Sequence, residues 1–224
     1  MTATLSGPML APGAGGAPKQ LMVLLHGYGA DGSDLLSLGW QWREPWPDML
    51  FVAPNAPAVC GLGQGFEWFA VDHERREETW RTGPAQAAPV LVNFLMDVWA
   101  QTGVGPGETV LAGFSQGAMM ALHVGTALDR PLGAIVAFSG AFAPAEGFGS
   151  GRFARPPVAL VHGDSDTVVD PQASRQAAAA LAADGFDVAL HISPEAGHGI
   201  APDGLDFATA FLGARLQGNT PKLP

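Results

Sequence analysis

Apolar residues along this chain are gathered into short blocks bounded by glycine, proline and charge, and the blocks are of two kinds. Leu21-Met22-Val23-Leu24-Leu25, the run from Asp48 to Ala53, Thr109-Val110-Leu111-Ala112, Ala134-Ile135-Val136-Ala137-Phe138, Pro157-Val158-Ala159-Leu160-Val161 and Val188 to Ile192, which contains His191, are too short for helices and are expected to be strands. The unbroken runs Leu21 to Leu25 and Pro157 to Val161 read as strands buried on both faces, the habit of a parallel sheet. Between them the spacing turns helical. Either Asp31 or Asp34, with Asp34 preferred, is expected to cap a short helix through Leu35-Leu36-Ser37-Leu38. Gly83-Pro84 is expected to open a helix whose apolar face is Val90, Leu91, Phe94, Leu95 and Val98. Further helices are expected from about Gln116 to Leu128, over the alanine-rich stretch 171–183, and around Leu205 to Leu216. Strand, loop and helix alternate through the whole chain, which predicts one α/β domain: a mostly parallel central sheet with helices on both faces. Its expected bounds are 21–217, preceded by a Gly/Pro/Ala-rich lead-in or edge hairpin over 1–20 and followed by a polar tail over 218–224.

Composition narrows the partners. The 224 residues carry 11 basic and 21 acidic side chains, a formal charge of -10, with no basic cluster denser than Arg75-Arg76. Binding to a nucleic-acid backbone requires neutralising Lys and Arg, so nucleic acid is not an expected partner, and an anionic membrane surface is equally disfavoured. The lone Cys60 permits no intramolecular disulfide and fits a reducing compartment. The first twenty residues do not read as a signal peptide, and no run approaches about 18 uninterrupted apolar residues, so no membrane span is expected and a cytoplasmic location is the default. No HExxH or clustered Cys/His set is present to suggest a metal, and no cofactor is expected.

The chemistry gathers at the ends of the predicted strands. Gly113-Phe114-Ser115-Gln116-Gly117, between a strand and a helix, reads as a nucleophile elbow, its glycines allowing a turn too tight for side chains on either flank of Ser115. The Gln116 amide would sit at a helix N-terminus, where developing negative charge is favoured. After the first core strand, His26-Gly27-Tyr28-Gly29-Ala30-Asp31-Gly32 offers a second backbone amide, that of Tyr28, and two convergent amides make an oxyanion hole. An unactivated serine needs an imidazole, and the imidazole an orienting carboxylate. Of six histidines, His198 stands after the last strand between Gly197 and Gly199; His26 and His162 precede glycines at strand ends and suit bracing, while His73 lies in a polar run and reads as exposed. Asp166 follows the penultimate strand, from where a loop can reach such a histidine. Asp164, nearer the strand, is the rival, better suited to holding the loop through backbone amides. The order Ser115, Asp166, His198 is that of an α/β-hydrolase. The glycine-rich loop bearing Phe66, Trp68 and Phe69 reads as the wall of an apolar substrate cleft, and Phe142, Phe148 and Phe153, on 141–156, as lining for its rim.

Taken in sequence, LLHGYGADGSDLL, FVAPNAP, GFEWF, GFSQGAMMAL, VHGDSDTVV and GHGI resemble the phospholipase/carboxylesterase family of small α/β-hydrolases, over nearly the whole chain from Leu21. The resemblance implies Ser115, Asp166 and His198 as triad, the amides of Tyr28 and Gln116 as oxyanion hole, Trp68 beside the substrate region, a small-molecule ester as substrate, and it permits a homodimer. Two departures stand out. HGYGADGSD replaces the Gly-Asp pair usual in the acyl-protein thioesterases and is more like the bacterial carboxylesterase branch; Asp170 occupies the place of the proline in a Val-Pro pair. The expected activity is a serine carboxylesterase for short- to medium-chain esters, with an acyl (protein) thioesterase or lysophospholipase using the same site as the alternative.

Overall fold

The computed structural model describes residues 5–61, 63–72 and 74–216. The first four residues of the lead-in, His73 and the tail over 218–224 lie outside them. The elements, in order, are β1 (Met9–Leu10), β2 (Gln20–Leu25), α1 (Gly32–Trp42), β3 (Met49–Val52), β4 (Ala58–Val59), β5 (Phe66–Glu67), α2 (Arg76–Thr102), β6 (Thr109–Phe114), α3 (Gln116–Gly125), β7 (Ala134–Phe138), β8 (Val158–Gly163), α4 (Gln172–Ala183), β9 (Val188–Ser193) and α5 (Pro202–Arg215). Seven strands make one sheet in the order β1-β3-β2-β6-β7-β8-β9, and every pairing in it is parallel except that of β1 with β3.

Alternation within each strand builds two cores. Leu21, Val23 and Leu25 of β2 point to the layer of α2, α3 and α4, with Leu91, Leu95, Met120 and Leu181. Met22 and Leu24 point the other way, to α1 and α5, with Leu38, Trp42, Phe211 and Leu212. Buried on both sides, the central strands need no polar face, which is why their sequences are continuously apolar. The chain leaves β2 toward β3 on one side while β6 lies on its other side, so the crevice beyond the carboxyl ends of β2 and β6 is the switch point where open α/β sheets place ligands.

Two local expectations, the preferred helix cap and the start of the long helix, are corrected. The helix cap is Asp31 rather than Asp34: Asp31 accepts from the Ser33 amide at 2.7 Å, while the Asp34 carboxylate reaches back to the Asp31 amide at 3.4 Å, a reciprocal box. The described part of the lead-in carries one antiparallel edge strand, Met9 opposite Val52. The long helix opens at Arg76, with Glu77 and Glu78 in its first turn, and Gly83-Pro84 lies inside it. A Gly-Pro pair imitates a helix start, but Gly83 is small for another reason: an added Cβ would stand 2.3 Å from the Phe69 ring.

Candidate active site

Ser115 joins β6 to α3 with φ 54° and ψ -117°, a left-handed backbone that a non-glycine residue adopts only under constraint. Its amide is held by the Phe138 carbonyl of β7 at 2.9 Å. The flanking glycines are steric necessities: a Cβ on Gly113 would meet the Gly117 carbonyl oxygen at 2.3 Å, and one on Gly117 the Leu25 carbonyl oxygen at 2.0 Å. The turn thus lifts Ser115 above the sheet edge and puts Gln116 first in α3, where the helix dipole favours negative charge.

His198 Nε2 lies 3.0 Å from Ser115 Oγ, and His198 Nδ1 lies 2.7 Å from Asp166 Oδ2. The imidazole rests on Phe114, ring centroids 4.9 Å apart. The carboxylate's other oxygen, Oδ1, accepts from the amides of Val168 at 2.8 Å and Val169 at 3.0 Å. Burial alone pushes the Asp166 carboxyl up, but the hydrogen bonds from His198 and the two amides outweigh it and hold the group below the ordinary carboxylate range. The backbone-binding role expected of Asp164 therefore belongs to Asp166; Asp164 is exposed and accepts from the Ser165 hydroxyl at 2.8 Å.

A second imidazole, unforeseen from the sequence, stands on the same carboxylate. His162 Nε2 is 3.2 Å from Asp166 Oδ2 and 2.9 Å from the Val169 carbonyl, and both the His162 and Asp166 side chains are fully buried. A carbonyl only accepts, so Nε2 carries the proton and Nδ1 accepts from the Ser174 hydroxyl at 2.7 Å. Burial lowers the His162 pKa, chiefly by desolvation, and favours this neutral form. The i,i+4 spacing of His162 and Asp166 was visible in the chain, but across a strand end it has no fixed geometry to read.

His26 braces the other side. Its Nε2 accepts from the Ala56 amide at 2.9 Å, so Nδ1 carries the proton and donates to the Gly27 carbonyl at 2.7 Å; burial lowers its pKa as well. His123 contacts the Ala143 carbonyl at 2.7 Å, and His191 pairs with Asp203 at 2.7 Å on the β9 and α5 side. The Tyr28 phenol is pushed up to about 12, first by its hydrogen bond with Cys60. It stays protonated at neutral pH. No group of His, Cys, Asp and Glu that could hold a metal occurs among the described residues, and no helix there is long and apolar enough to cross a membrane.

Ser115, His198 and Tyr28 open onto one cavity of about 630 Å³. Its apolar wall is Leu35 and Leu38 of α1, Phe114, Ile200 and Leu205, with Asp34 and Gln41 on the polar side. Here the aromatic-loop expectation is corrected. Trp68 and Phe69 are 2% and 5% exposed and belong to the core. Phe66 is half-buried in the β4–β5 hairpin, and none of the three lines this cavity. They are buried because Phe69 packs on Gly83 of α2, while Trp68 Nε1 donates to the His26 carbonyl at 2.9 Å. Phe142 faces a different hollow, beside Trp80 and Val169, and Phe148 meets Phe142 edge to face and stacks on Phe186. The lining of this cavity was hidden in the sequence because α1 reads as an ordinary amphipathic helix.

A mostly parallel sheet covered on both faces, with a serine on a strand-to-helix elbow at its carboxyl edge, defines an α/β-hydrolase. The chain belongs to the phospholipase/carboxylesterase family, whose model matches residues 13–216. It is similar to esterase YpfH of Escherichia coli (strain K12), 31% identical over 198 residues that cover 87% of this chain and 82% of that one. It is also similar to acyl-protein thioesterase 1 of Gibberella zeae, 28% identical with coverage of 87% and 90%. The crystal structure of esterase PE8 superposes with a TM-score of 0.91 at 54% identity, covering 95% of this chain and all of the other. The chain is thus an enzyme of the carboxylic ester hydrolase class.

Proposed function

We propose that the chain is a serine carboxylesterase for short- to medium-chain esters. Ser115 is the nucleophile, His198 the general base and acid, Asp166 the ionised carboxylate that orients it, and the amides of Tyr28 and Gln116 the oxyanion hole. The observation that carries this reading is the unbroken chain from Ser115 Oγ through His198 to Asp166, at 3.0 and 2.7 Å, opening on an apolar cavity. His198 takes the proton of Ser115 as the oxygen attacks the ester carbonyl. The two amides meet the charge that develops on the tetrahedral oxygen, and His198 protonates the departing alcohol. Water activated by the same imidazole then releases the acid. Asp166, held below the carboxylate range, stays ionised throughout. The volume of about 630 Å³ lies within the range of small-molecule sites and suits a small ester, and the negative chain disfavours anionic acids. A thioester substrate is the second reading, favoured by the similarity to acyl-protein thioesterase 1.

Hydrolysis of p-nitrophenyl esters from C2 to C12 and of matched acyl thioesters by wild type and Ser115→Ala tests both. The expected result is an optimum at short or medium esters and a loss of at least about 10⁴-fold in the variant. Thioesters winning by kcat/KM would leave the residue roles in place and change the substrate. A folded S115A protein that retains its activity would overturn the assignment.

A further inference from the structure

The two backbone amides assigned above to the oxyanion hole come from segments nearly ninety residues apart, Tyr28 after β2 and Gln116 after β6. A donor pair aimed at one oxygen must be fixed relative to itself, since a misplacement of about 1 Å can cost about 100-fold in rate. A buried chain of hydrogen bonds spans the gap. The Gln116 side chain accepts from the Trp68 amide through Oε1 at 2.8 Å and donates to the Phe69 carbonyl through Nε2 at 2.7 Å. Both partners are backbone groups of fixed polarity, so the amide orientation is determined. Trp68 in turn donates its indole N–H to the His26 carbonyl at 2.9 Å, one peptide before Gly27-Tyr28. His26 closes the frame on the Ala56 amide. His26, Trp68 and Gln116 are each 2% exposed or less.

We propose that the side chains of Trp68 and Gln116 are positioning residues for the oxyanion hole, a strut that sets the spacing between the Tyr28 and Gln116 amides. This rests on the serine reading above. It explains why an indole sits beside the site without touching the cavity: Trp68 acts through the His26 carbonyl, and its ring packs on His26 at 5.6 Å between centroids. It also gives the variable position of the elbow motif a reason to be glutamine. Its side chain turns back from the helix start, away from the reacting atoms, to clamp residues 68 and 69. A buried amide with both functions satisfied by backbone is rigid, and removing either function leaves a partner without its bond.

The test uses W68F, which keeps an aromatic ring and removes the indole donor, and Q116E, which is isosteric and loses the donation to Phe69. Each is measured for kcat and KM on p-nitrophenyl butyrate and for inhibition by butylboronic acid, whose tetrahedral adduct on a serine places an oxygen where the oxyanion forms. The expected result is a kcat lower by about 10-fold, a fraction of what deleting an oxyanion donor costs, with KM within about twofold and boronate affinity weakened in step. The double variant is expected to lose less than the product of the two single losses, because both act through one strut. Folding is checked by the thermal midpoint; if W68F does not fold, Q116E carries the test. S115A runs alongside. If S115A is inactive while a folded Q116E keeps wild-type kcat and boronate affinity, the strut is overturned and the serine reading stands. Substantial activity in S115A overturns the serine reading itself.

Discussion

Asp166 is met by donors on both oxygens: two loop amides on Oδ1, and His198 and His162 on Oδ2. Asp166→Asn keeps the shape but replaces an acceptor with a donor, so the amide either faces the His198 N–H or forces the wrong tautomer. Steady-state kinetics are expected to show kcat down by about 10³- to 10⁴-fold with KM little changed; a loss under tenfold would remove Asp166 from the role. That Ser115, Asp166 and His198 come together could be read from the sequence because each sits in a short, glycine-marked run at a strand end, where few other structural uses compete. The placement of His162 and Trp68 could not. A histidine before a glycine looks the same whether it braces a loop or touches a carboxylate, and an aromatic on a glycine-rich stretch looks exposed until α2 is seen to cover it.

Between elements, the critical approach is that of β8 to the loop that carries His198. A Cβ on Gly163 would meet the Ala196 carbonyl oxygen at 2.2 Å, and the same approach is sealed by the Ser165 amide donating to Ala196 at 2.9 Å. Backbone on backbone cannot yield as a flexible side chain would. Gly163→Ala must push the 195–199 loop away from Asp166, and the expected outcome is a thermal midpoint lowered by the equivalent of about 1–3 kcal/mol together with a 10- to 100-fold fall in kcat. A variant of unchanged midpoint and rate would show that the loop relaxes freely. The central strands and their alternation with helices were readable because parallel strands buried on both faces are continuously apolar. The start of α2 was not, since Gly83-Pro84 imitates a helix opening while the close packing of Phe69, which explains the glycine, is a tertiary fact.

For the molecule as a whole, the buried histidines His26 and His162 and the buried carboxylate of Asp166 set stability against pH in separate windows. Burial depresses His26 and His162 below their unfolded value of about 6.5. Below that value the unfolded chain binds protons that the folded chain refuses, so their contribution is complete above about pH 6.5 and is lost as pH falls toward the folded values, with a slope of up to about 1.4 kcal/mol per pH unit for each extra proton. Asp166 is also depressed, but its contribution disappears only below the unfolded carboxylate pKa of about 3.9. A competing term runs the other way: with a formal charge of -10 and a pI near 4.8, acidification relieves self-repulsion. Between pH 7.5 and 5.5 the carboxylates scarcely titrate, so the histidines dominate there. Thermal midpoints at pH 7.5, 6.5 and 5.5 are therefore expected to fall, and His162→Gln, though less stable at pH 7.5, is expected to show a shallower decline. A midpoint that holds or rises over that range would mean that relief of negative charge outweighs the contributions of His26 and His162.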